Sequence, residues 1–176
     1  MMKNLSVLIL MYLMPLLSGS VHSPNIQVKN GGQQPYYKPL KSFNGDTSGY
    51  LIRNFVTYQQ DYQNKALNTM LEKLEVPVAG YLVINGGNKG EEVPTKCVGI
   101  YLRFFSWKDI EQKKRAKQNP AVLYVRFKTP IALEEANVLR RRNKGAFPDS
   151  VRMFYSKQIV DTINYVHYKY KKVVKR

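Results

Sequence analysis

Apolar and polar residues alternate with a period of two in three short runs of this chain: VAGYLVI (78–84), VGIYLRFF (98–105) and AVLYVRFK (121–128). In the second run Val98, Ile100, Leu102 and Phe104 share one face and leave Tyr101 and Arg103 on the other. In the third, Leu123, Val125 and Phe127 point one way and Tyr124, Arg126 and Lys128 the other. Successive strand side chains point to opposite faces, so this is the pattern of a half-buried antiparallel sheet. NGGNKGEEVPT, between the first two runs, has the glycines, asparagines and proline of a long hairpin loop. A fourth alternation over 157–170 opposes Ile159, Ile163 and Tyr165 to Val160, Val166 and Tyr168. It predicts a long last strand that runs into the basic tail KYKKVVKR.

A different period marks the helices. Tyr58, Tyr62, Ala66, Met70 and Leu74 fall four apart with Leu67 and Leu71 beside them, one apolar stripe at helical spacing. Thr57 and Gln60 have capping-box spacing and Val76-Pro77 is a stop, so the expected helix lies across one face of the sheet. Ser106 is placed to cap a short polar helix in SWKDIEQKKRAKQNP, which Asn119-Pro120 ends. Pro130 is expected to open a further helix, IALEEANVLRRRNKG, with apolar Ile131, Leu133, Ala136, Val138 and Leu139. Its acids, Glu134 and Glu135, come first, its arginines, Arg140, Arg141 and Arg142, come last, and Gly145 follows as a stop. That is the order the helix dipole favours, and cations at a helix C-terminus contribute ~0.3–1 kcal/mol with no ligand present. The fold predicted is α+β, an antiparallel sheet of three to four strands with two or three helices packed on one face.

The opening MMKNLSVLILMYLMPLLSGS has one lysine, an apolar stretch over 5–17 and then small polar residues, the layout of a secretory signal. The stretch is shorter than the ~20 residues a spanning helix needs, although an uncleaved anchor is the competing reading. Cleavage is expected after residue 20 or as late as 23. Residues 21–49, rich in Asn, Gly, Gln, Pro and Ser, read as a flexible lead-in, and 50–176 as a single domain. The one cysteine, Cys97, leaves stability to packing, and the only N-x-S/T match lies inside the signal. These features point to an extracytoplasmic location, the bacterial periplasm or the exterior.

Charge is the strongest compositional bias. Lysine and arginine number 28 against 12 acids, and the net charge is +16. The excess is uneven: residues 24–107 carry a net +3, whereas 108–176 hold eighteen basic and six acidic residues, a net +12. Such a field attracts anionic polymers and lipid headgroups in a salt-sensitive way.

Counting excludes most catalytic constellations. Of the two histidines, His22 falls in or beside the signal, which leaves His167 as the one base a triad could use, and Asp161 lies roughly 20 Å away along the same predicted strand. One cysteine and one histidine at distant positions do not make a metal site, and no cofactor motif occurs. NGGNKG lacks the spacing of a phosphate loop. The acid pairs Glu91-Glu92 and Glu134-Glu135 fit a loop and a helix start better than an acid–base pair.

What stands out is the polar face of the sheet. If the three runs are neighbours, Tyr101, Arg103, Tyr124, Arg126 and Lys128 share one surface, with Tyr81 as a further member. Aromatic rings interleaved with cations suit stacking on a polymer, whereas a covering helix or cross-strand tyrosine pairing would explain the same pattern without a ligand. The function expected is that of an exported, non-catalytic protein that binds or scaffolds through a basic and aromatic surface. Its partner would be a protein, or an anionic polymer or lipid headgroup in the cell envelope, with nucleic acid less favoured and no metal. An enzyme acting on an anionic or glycan substrate with carboxylates and tyrosines is the alternative.

Overall fold

Four strands in chain order form one antiparallel sheet, β1 (Gly80–Gly86), β2 (Lys96–Arg103), β3 (Val122–Ala132) and β4 (Val160–Tyr165). The structure is a computed structural model and describes residues 36–86 and 95–168. The expected signal, the front of the lead-in, most of the NGGNKG loop with Glu91 and Glu92, and the basic tail from 169 lie outside the described residues.

The register puts like faces together. Tyr81 pairs with Leu102 and Val83 with Ile100 across β1 and β2, Ile100 with Val125 and Leu102 with Leu123 across β2 and β3, and Val125 with Ile163 across β3 and β4. These inward side chains form a continuous apolar core with residues from the helices. Each buried Leu, Ile or Val side chain stabilises by about 1.5–3 kcal/mol relative to exposure, so this face fixes the register.

Four helices supply the other half of the core: α1 (Thr47–Leu51), α2 (Asn68–Leu71), α4 (Leu133–Arg142) and α5 (Asp149–Ser156). Their buried residues Tyr50, Leu51, Met70, Leu71, Leu133, Ala136, Val151 and Tyr155 all join the inner-face cluster. The α+β class is therefore correct, with more helical segments than the pattern suggested. The fifth helix, α3 (Trp107–Arg115), stands apart: its one buried residue, Ile110, lies outside that cluster. As its sequence predicts, Ser106 Oγ caps it by accepting from Asp109 N–H at 3.2 Å.

The N-terminal helix is the main correction. A helix over 57–76 does not form. Asp46 caps α1 by accepting from Gly49 N–H at 3.0 Å, and the winding continues as wider π-turns over Ile52–Thr57 that bury Asn54 and Phe55. A 3₁₀ turn at Gln59–Asp61 and a left-handed Asn64 (φ 59°) then break the chain out of helical register. Ala66 makes a lone bridge to Ile159, and α2 adds a single turn. Thr57 thus ends a helix where it was expected to start one. The lead-in is also shorter than read, because Tyr37, Leu40 and Phe43 already pack on the core.

Three smaller corrections concern the C-terminal half. Pro130 does not open α4 but lies within β3, which runs on to Ala132 through an irregularity opposite Cys97 and Gly99. VRMFYS folds into α5, which the sequence pattern missed, and β4 is correspondingly shorter than predicted. A shift between Arg126 and Phe127 turns Val160 inward and leaves Ile159 38% exposed, the reverse of their expected sides.

Candidate functional site

Because the helices α1, α2, α4 and α5 all join the inner core, the other face of the sheet carries none of them and meets instead the start of α3 and the segment just after β4. Tyr101 and Tyr124 are direct cross-strand partners there, with ring centroids 5.5 Å apart and planes tilted by 49°. Both are half-buried. Desolvation raises the Tyr124 hydroxyl above its ordinary pKa, so it is a hydrogen-bond donor at any physiological pH. Arg126, one pleat along, is exposed and lies 3.4 Å from Asp161 of β4. Lys128 reaches across to Asn64 Oδ1 at 2.6 Å. These four residues form the exposed part of the predicted surface.

Arg103 behaves differently. It is only 5% exposed, and its guanidinium carbon sits 4.1 Å from the centroid of the Trp107 ring. Gly80, its partner on β1, has no side chain in the space that the guanidinium fills. A Cβ there would overlap Arg103 Nη2 and would lie 2.6 Å from Gly145 O. None of the ion pairs among the described residues involves Arg103, and its Nε has no hydrogen-bond partner among them. Desolvation lowers its pKa from the ordinary arginine value. Cation–π attraction to Trp107 is its visible compensation.

Trp107 itself is 51% exposed and forms one side of a groove of about 240 Å³. Leu82, Tyr101 and Val122 line it from three adjacent strands, and Val166 and Tyr168, just beyond β4, also line it. Val166 N–H donates to Val122 O at 3.0 Å and Tyr168 N–H to Asn119 Oδ1 at 2.9 Å, which hold that segment in place. Lys114 Nζ lies 5.1 Å from the Tyr168 ring centroid. Sequence reasoning missed Leu82, Trp107, Val122, Val166 and Tyr168. Leu82 and Val122 lie within the first and third alternating runs with nothing there to single them out, and nothing in the period showed that α3 begins by folding its indole back over Arg103.

The remaining predicted residues go elsewhere. Tyr81 is fully buried on the helix side, edge to face with Phe147 and Tyr155, and is not part of the outer surface. Arg140, Arg141 and Arg142 close α4, whose buried residues belong to the inner core, so the sheet separates them from Tyr101 and Arg126. Arg141 pairs with Glu134 at 2.8 Å with both side chains mostly exposed. The structural explanation is sufficient for that run. Lys144 (φ 50°) and Gly145 (φ 73°) adopt left-handed backbone there, and Gly145 N–H donates to Arg140 O at 3.0 Å to close the helix.

Candidate acid–base groups are engaged or dispersed. Cys97 is buried, its thiol pushed up by burial, and its Sγ–H donates to Gly99 O at 3.3 Å. A cleft of about 290 Å³ between the 71–78 segment and α5 contains Glu75, Asp149 and Arg152. Glu75 is committed, because its two oxygens accept from Tyr37 Oη and Leu40 N–H, each at 2.8 Å. Among the described residues no three His, Cys, Asp or Glu side chains gather as a metal site would require, and no helix is long and apolar enough to cross a membrane. No family model matches the chain, and neither a curated protein nor a solved structure is significantly similar to it.

Proposed function

We propose that this is an exported, non-catalytic binding protein that holds an anionic partner on the outer face of its sheet. One observation carries the reading: Tyr101 and Tyr124 stand paired beside exposed Arg126, on the face away from the core formed by α1, α2, α4 and α5. A purely structural cross-strand pair would need no cations around it, and the exposed cations of a merely soluble surface would need no half-buried aromatic platform. Together they suit an anionic polymer, or the acidic surface of a protein in the cell envelope, that gains both stacking and charge neutralisation.

The test is retention of the full mature chain on immobilised anionic polymers and on anionic vesicles across a salt series. We expect Arg126→Glu with Lys128→Glu to flatten the salt dependence, while Arg140→Glu, Arg141→Glu and Arg142→Glu on the opposite side leave most of it. Retention lost only in the α4 variant would move the site to the helix end. No retention on any anionic surface would overturn the reading.

A further inference from the structure

A buried guanidinium without a carboxylate partner is costly, and stacking on one indole offsets only part of that cost. Arg103 is in this position, 95% removed from solvent by its 5% exposure, with Nε unpartnered among the described residues. It lines a groove whose other members are Leu82, Val122 and Val166 on the apolar side and Tyr101, Trp107 and Tyr168 on the aromatic side. None of the described residues lining the groove is acidic, so its single charge has no ion-pair partner among them. At about 240 Å³ it lies below the ~300–1,000 Å³ of most ligand sites and has room for one ring and its substituent.

We propose that this groove binds a small ring-bearing acid, its oxyanion meeting the Arg103 guanidinium and its ring lying among Leu82, Tyr101, Val122 and Val166. The oxyanion is a carboxylate or a phosphate monoester, both of which match the planar donor edge of arginine. Gly80 is required for this arrangement, since any side chain there would drive the guanidinium off its seat beside Trp107. The inference rests on the outer face being the binding face and names the chemical group recognised there.

Trp107 is the only tryptophan in the chain and reports directly on the site by its fluorescence. The mature protein is titrated with 3-phenylpropionate and with phenyl phosphate, with 3-phenylpropanol as the uncharged counterpart and acetate and inorganic phosphate as ringless anions. At least one ring-bearing anion is expected to give a saturable change, with the alcohol and the ringless anions weaker by about tenfold or more. The tighter of carboxylate and phosphate identifies the oxyanion. Arg103→Met is expected to abolish the response. Because that change alters a buried residue, Leu82→Phe, which fills the groove and leaves Arg103 in place, is the second variant and is also expected to abolish it. No saturable change with either ring-bearing anion, or equal binding of the alcohol, overturns the proposal. Polymer retention that persists in the salt series without any response to the small acids removes this inference alone, and loss of both removes the binding face itself.

Discussion

Beneath the sheet Tyr81 and Tyr155 meet edge to face with ring centroids 5.4 Å apart, both fully buried, and their hydroxyls lie close to each other without a well-aligned hydrogen bond to each other or to any other described residue. An unsatisfied buried hydroxyl costs about 1–3 kcal/mol, whereas phenylalanine keeps the ring and its packing. Tyr155→Phe and Tyr81→Phe are each expected to raise the unfolding free energy by roughly 1 kcal/mol, read from chemical denaturation. A loss of stability in both would mean that the hydroxyls are hydrogen-bonded in solution.

The same substitution at Tyr50 should have the opposite sign. Its hydroxyl donates to Lys73 O at 2.9 Å, accepts from Glu75 N–H at 2.9 Å and lies 2.9 Å from Tyr37 Oη. That one oxygen ties α1 to the segment after α2. Tyr50→Phe leaves Glu75 N–H without this partner, while Lys73 O and Tyr37 Oη keep each other, and is expected to cost about 1–2 kcal/mol, measured beside Tyr155→Phe in the same denaturation series.

Buried tyrosines also set an alkaline limit. Burial pushes Tyr81 up to about 12, and raises Tyr37, Tyr50, Tyr62 and Tyr155 as well. In the unfolded chain a tyrosine ionises near 10, so above that pH the unfolded state releases protons that the folded state retains. The stabilisation is whole below pH 10 and is lost as the pH rises towards 12, with about 2–3 kcal/mol from Tyr81 alone. Unfolding free energy should therefore fall steeply above pH 10, with the last part of the tyrosinate absorbance, that of these five residues, appearing together with the loss of structure. Ionisation of all the tyrosines before the structure is lost would show that these hydroxyls are accessible.

Gly80 offers a structural check on Arg103. Gly80→Ala puts a methyl group where Arg103 Nη2 lies and 2.6 Å from Gly145 O, a backbone atom that cannot swing aside. Overpacking of this kind typically costs about 1–3 kcal/mol. We expect that loss together with a shift in Trp107 emission, as the guanidinium is pushed from the indole. A destabilised protein with unchanged emission would place the strain at Gly145 instead.

Alternation made most of the sheet legible because one side of it is core and the other is not. Ile100, Leu102, Leu123 and Val125 are buried as their period predicts, and Tyr101 and Tyr124 face away with them in register. The helix ends that depend on local chemistry were also readable, at Ser106 and Gly145. What escaped was structure whose period is not that of a regular element. NGDTSG looks like a loop, yet Asp46 caps a helix there, and the π-turns that follow carry no 3.6-residue signature. The stripe from Tyr58 to Leu74 matched a helix in spacing alone, while Asn64 in left-handed backbone prevents one. For the site, Tyr101, Tyr124, Arg126 and Lys128 followed from the pleat, but the burial of Arg103 depends on a contact between the end of β2 and the start of α3 that no single-element pattern encodes.

Asn64 N–H donates to Val160 O, Val160 N–H to Lys65 O and Leu67 N–H to Gln158 O, so the segment between the first helices is sewn to the start of the last strand. These bonds join positions almost a hundred residues apart. Chain emerging from a ribosome presents Tyr50, Phe55, Leu67 and Met70 long before the strand that anchors them exists. The β1–β2 and β2–β3 pairings can close early, being neighbours in sequence, but both β3 and the N-terminal third must wait for β4. Completion of this fold is thus a post-synthetic event, and a chain cut short before Val160 would display an apolar surface suited to holding chaperones.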